Sequence, residues 1–268
     1  MAEQSGQGDA LETRGWQVFD PEPPVQDWVA HVRPTALGLA ADPDWRAKWL
    51  RHGGTWFAGV NALPNDGAGR VDGGPALAGT ALSVAQRHAG PLALDPAQIS
   101  VTYPGYPRRD PNESETAHRF RLRRDAAHLD GLLPVGPERR RFIAEPAAFI
   151  LGYPLTAADP AASPLVVWEG SHHLLRTALR RAMVTLPPAE WRTRDVTEVY
   201  TQTRREVFAR CKRVPLHAPP GGAILLHRLT LHGVAPWAEG AGADPAGRAI
   251  AYFRPDLPGG AAAWLSEP

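Results

Sequence analysis

The stretch whose reading decides the fold is Ala223-Ile224-Leu225-Leu226-His227-Arg228-Leu229-Thr230-Leu231-His232-Gly233, entered through Gly221-Gly222. Its apolar run is short and bounded by glycine, which predicts a buried strand rather than a helix. A Leu-rich strand that delivers a histidine beside a glycine suits the mouth of a barrel, because Gly233 lets another group approach closely. Working outward from it, the chain beyond Ile99 consists of short apolar or alternating runs separated by Pro and Gly. Strands are predicted at 99–103, 118–123, 147–153, 165–168, 214–217, 223–227 and 248–253. That texture belongs to a sandwich or jelly roll and not to alternating βαβ units.

Before Ile99 the pattern is helical. Val25, Trp28, Val29 and Val32 recur at helical spacing behind Pro23 and Pro24, and further helices are predicted at about 44–50 and 77–88. Residues 61–79 are too rich in Gly, Pro, Asn and Asp for regular structure and read as a long surface loop. Two helices, 171–184 with Ser171 as its N-cap and 188–211, interrupt the strand series. The expected organisation is a disordered tail over 1–15 and one domain over 16–268, with a helical part at 16–95 and a jelly-roll core at 96–268 carrying a helical insertion at 171–211.

Composition bounds the function. The chain has 268 residues, and 29 Lys+Arg against 28 Asp+Glu leave a net charge of +1, so no long-range field gathers nucleic acid or an anionic membrane. The single cysteine, Cys211, excludes an intrachain disulfide and a Cys-based zinc cage, which suits a reducing cytoplasm. Residues 1–14 lack the apolar core of a signal peptide, and no run is long and apolar enough to span a bilayer. A cytoplasmic protein is expected.

His128-Leu129-Asp130 puts an imidazole and a carboxylate at i and i+2, on one face of an extended segment. With His232 they make up the 2-His-1-carboxylate set that holds Fe(II) and leaves positions open for oxygen and a co-substrate. Alone, His-x-Asp arises by chance in a chain with 10 histidines and 28 acidic residues, and a buried core histidine is the plainer reading of His232. His227 competes with His232, but five residues is an odd offset, so in a regular strand the two face opposite ways; His232 is chosen. Arg248 opens Arg248-Ala249-Ile250-Ala251-Tyr252-Phe253. A guanidinium behind an apolar pocket binds a carboxylate bidentately and stays charged when buried, which matches the far carboxylate of 2-oxoglutarate. Arg254 shares its parity and is the reserve candidate.

The ordered set resembles the phytanoyl-CoA dioxygenase family of Fe(II)/2-oxoglutarate oxygenases: His128-x-Asp130, then Leu165-Val166-Val167-Trp168-Glu169-Gly170-Ser171-His172, then Gly221 to His227, then His232-Gly233, then Arg248. The resemblance runs from about Ile99 to Pro255. It implies a double-stranded β-helix, a cupin-like jelly roll that is mainly β with flanking helices. It also implies His128, Asp130 and His232 as iron ligands, Arg248 as the 2-oxoglutarate anchor, and hydroxylation of a small molecule with O2, releasing succinate and CO2. An aspartate at 130, where related halogenases carry a small residue, favours hydroxylation or desaturation. Three features depart from the pattern: Glu169 stands where Pro is usual, Val234 where a co-substrate-holding Ser is frequent, and residues 239–247 lengthen the approach to Arg248.

Tyr103 precedes the metal segment and is expected to border the pocket as a cofactor-binding residue. Trp168, Tyr106 and Tyr153 are expected in the core, Arg139-Arg140-Arg141 on a solvated face, and His172-His173 at a helix start. Substrate contacts are expected from 56–79 and 188–211. Two other classes share the architecture: a cupin-like metal-dependent isomerase or hydrolase without 2-oxoglutarate, and a non-catalytic binding relic.

Overall fold

The computed structural model describes residues 7–266. Its first part runs α1 (Gln7–Arg14), β1 (Trp16–Phe19), α2 (Pro23–Ala41), α3 (Pro43–Trp49), β2 (Leu50–Arg51), β3 (Trp56–Gly59) and α4 (Thr80–Ala89). Then come β4 (Gln98–Thr102), α5 (Glu115–Arg124), β5 (Leu132–Val135), β6 (Arg140–Ile143), β7 (Phe149–Pro154) and β8 (Leu165–Trp168). Helix α6 (Ser171–Met183), a 3-10 segment (Pro188–Thr193) and α7 (Thr197–Arg210) lead to β9 (Arg213–Leu216), β10 (Ala223–His227), β11 (His232–Val234), β12 (Arg248–Phe253) and α8 (Gly260–Ser266).

The strands form a major antiparallel sheet in the order β1-β10-β7-β12-β4-β3-β2, a minor sheet β11-β8-β9, and the hairpin β5-β6. This is the jelly-roll architecture, mainly β with flanking helices. Strand parity sorts the side chains. Phe149, Leu151 and Tyr153 of β7, and Ala249, Ala251 and Phe253 of β12, join the larger core under the helices. Ile150, Leu165, Val167, Ile224 and Leu226 form a second apolar layer drawn from both sheets. Strands β7, β8 and β10 are therefore buried on both faces, which is why they read as continuous apolar runs rather than alternating ones.

Helix α2 is pinned to the major sheet by Trp28, fully buried among Tyr153 (ring centroids 5.6 Å apart) and Phe253 (5.9 Å). Its indole N–H donates to Gly69 O at 2.7 Å, so the same residue ties down the 61–79 loop. Burying such a side chain contributes about 3 kcal/mol, and its ring pairs add to that.

Several sequence expectations are corrected. Residues 118–123 are helical: Ser114 Oγ accepts from Ala117 N at 3.2 Å and caps α5. Its apolar/charged alternation reflects a solvent-exposed helix with no buried residue, not a strand. Residues 7–14 of the expected tail form α1, because Leu11 inserts into the core; residues 1–6 lie outside the described part. The 16–95 region adds β1, β2 and β3 to the edges of the major sheet, strands of two to four residues that are too short to show a pattern. Residues 188–211 divide into a 3-10 segment and α7. Ser171 is not a cap; its Oγ accepts from Leu231 N at 2.9 Å, and α6 starts behind Gly170 in a left-handed conformation. Among the described residues no helix is long and apolar enough to cross a membrane.

Candidate metal centre

Local backbone geometry brings the trio together. Helix α5 ends in Asp125 and Ala126, two non-glycine residues in the left-handed region at φ 53° and 54°. Arg213 holds the buried Asp125 carboxylate bidentately, at 2.7 and 2.8 Å, and Val234 N donates to Asp125 O at 2.8 Å. These bonds offset a backbone strain of about 1 kcal/mol or more per residue. The chain then runs extended past His128, which exchanges both backbone hydrogen bonds with His232, at 2.8 and 3.1 Å. Such a directly opposed pair places both side chains on one face, and the two rings lie 4.5 Å apart. Gly233 makes the approach possible: a Cβ there would overlap the carbonyl oxygen of Asp125 and lie 3.0 Å from its carbonyl carbon.

Leu129 turns into the core while His128 and Asp130 face the pocket, as the i, i+2 spacing predicts. One ligand atom each from His128, Asp130 and His232 falls within 4.8 Å of the others. Asp130 Oδ1 lies 3.2 Å from His128 Nε2 and 3.8 Å from His232 Nε2. His128 Nδ1 bonds Ala126 O at 3.0 Å and His232 Nδ1 bonds Thr230 O at 2.9 Å, so each Nδ1 carries the proton and each Nε2 lone pair is directed at the shared point. Neighbouring donors around a metal with bonds of about 2.1 Å sit about 3 Å apart, so the 3.2 and 3.8 Å pairs need less than an ångström to close on an ion, and the widest separation, within 4.8 Å, contracts the most. Two imidazoles and a carboxylate are the donors that Fe(II) takes.

Burial alone raises the Asp130 carboxyl, but His232, the hydrogen bond to His128 and the charge of Arg254 outweigh it and hold Asp130 well below the usual carboxylate range. Burial pushes His232 down to about 4, Asp130 opposing. The cluster therefore presents a carboxylate and a neutral His232 at neutral pH.

The adjoining cavity, about 310 Å³, is lined by Trp49, Trp56, Val60, Leu165, Val234 and Tyr252 with Gln98, Ser100 and the trio. Arg248 lies on the same face of β12 as Tyr252, 8% exposed, but it does not line this cavity; it borders a neighbouring cleft with Thr156, Ala218, Ile224 and Ile250. No carboxylate of the described residues pairs with its guanidinium, which faces the buried Tyr252 hydroxyl without a hydrogen bond of ordinary geometry. Arg254 is committed instead: Nη1 donates to Asp130 Oδ2 at 3.1 Å and Nη2 to Gln98 Oε1 at 2.6 Å.

Other expectations fare unevenly. Tyr103 sits on the opposite face of β4 with Ile99 and Val101, under the Arg46 guanidinium (5.9 Å), and does not line the cavity. His227 is excluded, though not by parity, since it ends β10 and His232 begins β11 in the other sheet. Both its ring nitrogens are taken, by Leu229 N at 3.0 Å and Arg176 Nη2 at 2.8 Å. Trp56 and Val60 border the cavity, whereas nothing from 188–211 does. His172 is buried at the start of α6 and bonds Glu12 O at 2.7 Å. Arg140 of the Arg triplet pairs with Glu138, Asp195 and Glu198 at the surface. The sequence reading missed Trp49, Gln98, Ser100 and Tyr252. Tyr252 had a signal, its shared parity with Arg248.

No protein-family model and no curated protein matches the sequence. Solved structures do. AviO1 from Streptomyces viridochromogenes Tue57 aligns over 100% of this chain and 98% of its own, with a TM-score of 0.50 and 14% identity. SnoK, described as a non-heme alpha ketoglutarate dependent carbocyclase from nogalamycin biosynthesis, aligns over 95% and 85% (0.48, 12%). EctD from S. alaskensis with bound Fe aligns over 95% and 77% (0.46, 18%). What is shared with AviO1 is the fold.

Proposed function

We propose that the protein is an Fe(II)- and 2-oxoglutarate-dependent dioxygenase of the phytanoyl-CoA dioxygenase type. It hydroxylates a small molecule: substrate, O2 and 2-oxoglutarate give hydroxylated substrate, succinate and CO2. The observation that carries the reading is the convergence of His128 Nε2, Asp130 Oδ1 and His232 Nε2, each imidazole held by a backbone carbonyl behind it. Iron held by these three residues would supply the activation of dioxygen.

The chain's own residues do the rest. Arg248, charged, buried and without a carboxylate, takes the far carboxylate of 2-oxoglutarate, and the unsatisfied Tyr252 hydroxyl next to it offers a further hydrogen bond. Val234, in the position where the family often carries Ser, presents only methyl groups to the cavity, so Tyr252 replaces that hydroxyl from another strand. Trp49, Trp56, Leu165 and Val60 form the apolar wall that excludes water and receives the substrate. The isomerase or hydrolase alternative has no use for Arg248 in this environment.

Anaerobic addition of Fe(II) and then 2-oxoglutarate to the apoprotein tests the proposal. A weak visible charge-transfer band is expected for the wild type and is expected to vanish in His128→Ala, Asp130→Ala and His232→Ala. Full Fe(II) retention in all three variants refutes the ligand assignment, and iron binding without any band points to the enzyme class that does not use 2-oxoglutarate.

A further inference from the structure

Resting on the reading that the trio holds Fe(II), we propose that Arg254 is the positioning residue that restricts Asp130 to binding the metal through one oxygen. Asp130 Oδ1 faces both imidazoles, at 3.2 and 3.8 Å, while Oδ2 is held by Arg254 Nη1 at 3.1 Å on the side away from them. The guanidinium cannot drift from this post. Its Nη2 is bonded to Gln98 Oε1 at 2.6 Å, and the Arg254 backbone N–H donates to Asp95 Oδ1 at 2.7 Å. Gln98 belongs to β4, paired with Tyr252 of β12, so the clamp is built on two neighbouring strands of the rigid major sheet.

The need for such a clamp follows from counting. A six-coordinate ion with three one-atom protein ligands keeps three positions free, which is what a chelating keto acid and oxygen together require. A carboxylate that swings to bind through both oxygens removes one of the three. Nothing in the trio itself prevents that swing, because the backbone bridge fixes His128 and His232 and leaves the Asp130 carboxylate torsion free. Arg254 supplies the missing constraint, and in doing so is unavailable to 2-oxoglutarate. Arg248 of β12 and Arg254 just beyond it thus have separate tasks.

Calorimetric titration of the apoprotein with Fe(II), without oxygen or 2-oxoglutarate, tests the assignment. Outer partners of metal ligands are typically worth about 10- to 100-fold in metal affinity. Arg254→Met is expected to lose about that much, whereas Arg254→Lys, whose ammonium still reaches Oδ2, recovers most of it. Gln98→Leu, which frees one end of the guanidinium, is expected to lose about threefold or more, and it carries the test if Arg254→Met does not fold. Arg248→Met leaves Fe(II) affinity unchanged. Wild-type Fe(II) affinity in Arg254→Met overturns the proposal. So does equal loss in the Met and Lys variants with lowered apoprotein melting temperatures, which marks a purely structural role. A wild type that binds no Fe(II) instead fails the metal reading itself, so the two failures are distinguishable.

Discussion

Replacing Arg248 by Met separates co-substrate binding from folding. In the free protein this guanidinium is 8% exposed and has no carboxylate partner among the described residues, so its desolvation is already a cost to the folded state. Met fills a similar volume without charge, and the variant apoprotein should be as stable as the wild type or more so. Binding has the opposite sign. Losing one partner of a buried charge-assisted pair costs about 2 to 4 kcal/mol, which at about 1.4 kcal/mol per decade is roughly 30- to 1000-fold in the dissociation constant of 2-oxoglutarate. The assay is titration of the Fe(II)-loaded, oxygen-free variant with 2-oxoglutarate, followed by the charge-transfer band, with urea denaturation of the apoprotein in parallel. An unchanged 2-oxoglutarate affinity refutes the anchor. A drop of several kcal/mol in apoprotein stability refutes the premise that the cation is unpaired.

Gly233→Ala pushes a methyl group into backbone atoms of Asp125 that cannot rotate away. An overpacking cost of about 1–3 kcal/mol is expected in thermal melts, together with at least about tenfold weaker Fe(II) binding because the His128–His232 bridge must open; wild-type behaviour in both measurements would show that the close approach is dispensable. Acid should destabilise the fold well above the carboxylate range. Burial lowers His172 to about 4, and His227 is lowered well below its ordinary value. Folded-state values below the unfolded 6.5 mean that the unfolded chain takes up protons first. Stability from these residues is therefore complete above about pH 6.5 and is lost as pH falls toward 4, by about 3 kcal/mol for His172 at the end of that interval. Urea midpoints flat between pH 7 and 4.5 would contradict this.

The fold was legible where physics is local and repeated. Buried strands β8, β10 and β12 were bounded correctly because glycine or polar residues punctuate their apolar runs. Helix α2 announced itself through Val25, Trp28, Val29 and Val32, all buried. Helix α5 was misread because period-2 alternation also arises when no face is buried, and the deciding signal was a single capping hydroxyl on Ser114. Strand β1 was missed because its stability comes from pairing with β10, a partner some 200 residues away in the chain. At the site, the trio was visible as residue types in order. Its cavity walls were not, since Trp49, Trp56 and Ser100 come from separate elements and meet only through register. Tyr103 failed by one residue of parity on β4.

Strand parity also separates the two arginines to which the proposed co-substrate site gives different tasks. Along the inner face of β12 and its continuation past Phe253, Arg248, Ile250, Tyr252 and Arg254 follow at every second residue, and at about 3.4 Å per residue the two arginine Cα atoms stand about 20 Å apart. A guanidinium reaching in from each end covers a different zone. Arg254 already touches Asp130, and Arg248 lies among Thr156, Ala218, Ile224 and Ile250. Exchanging their roles would require a shift of several residues in register, and any odd shift would send both charges into the helix-covered core on the other face. The pairing Ala251↔Ile99 and Phe253↔Leu151, with all four side chains buried in that core, opposes any such shift. The register that buries the apolar face of β12 is thus the same constraint that sets Arg254 against Asp130 and holds Arg248 apart from it, as the proposed division of tasks requires.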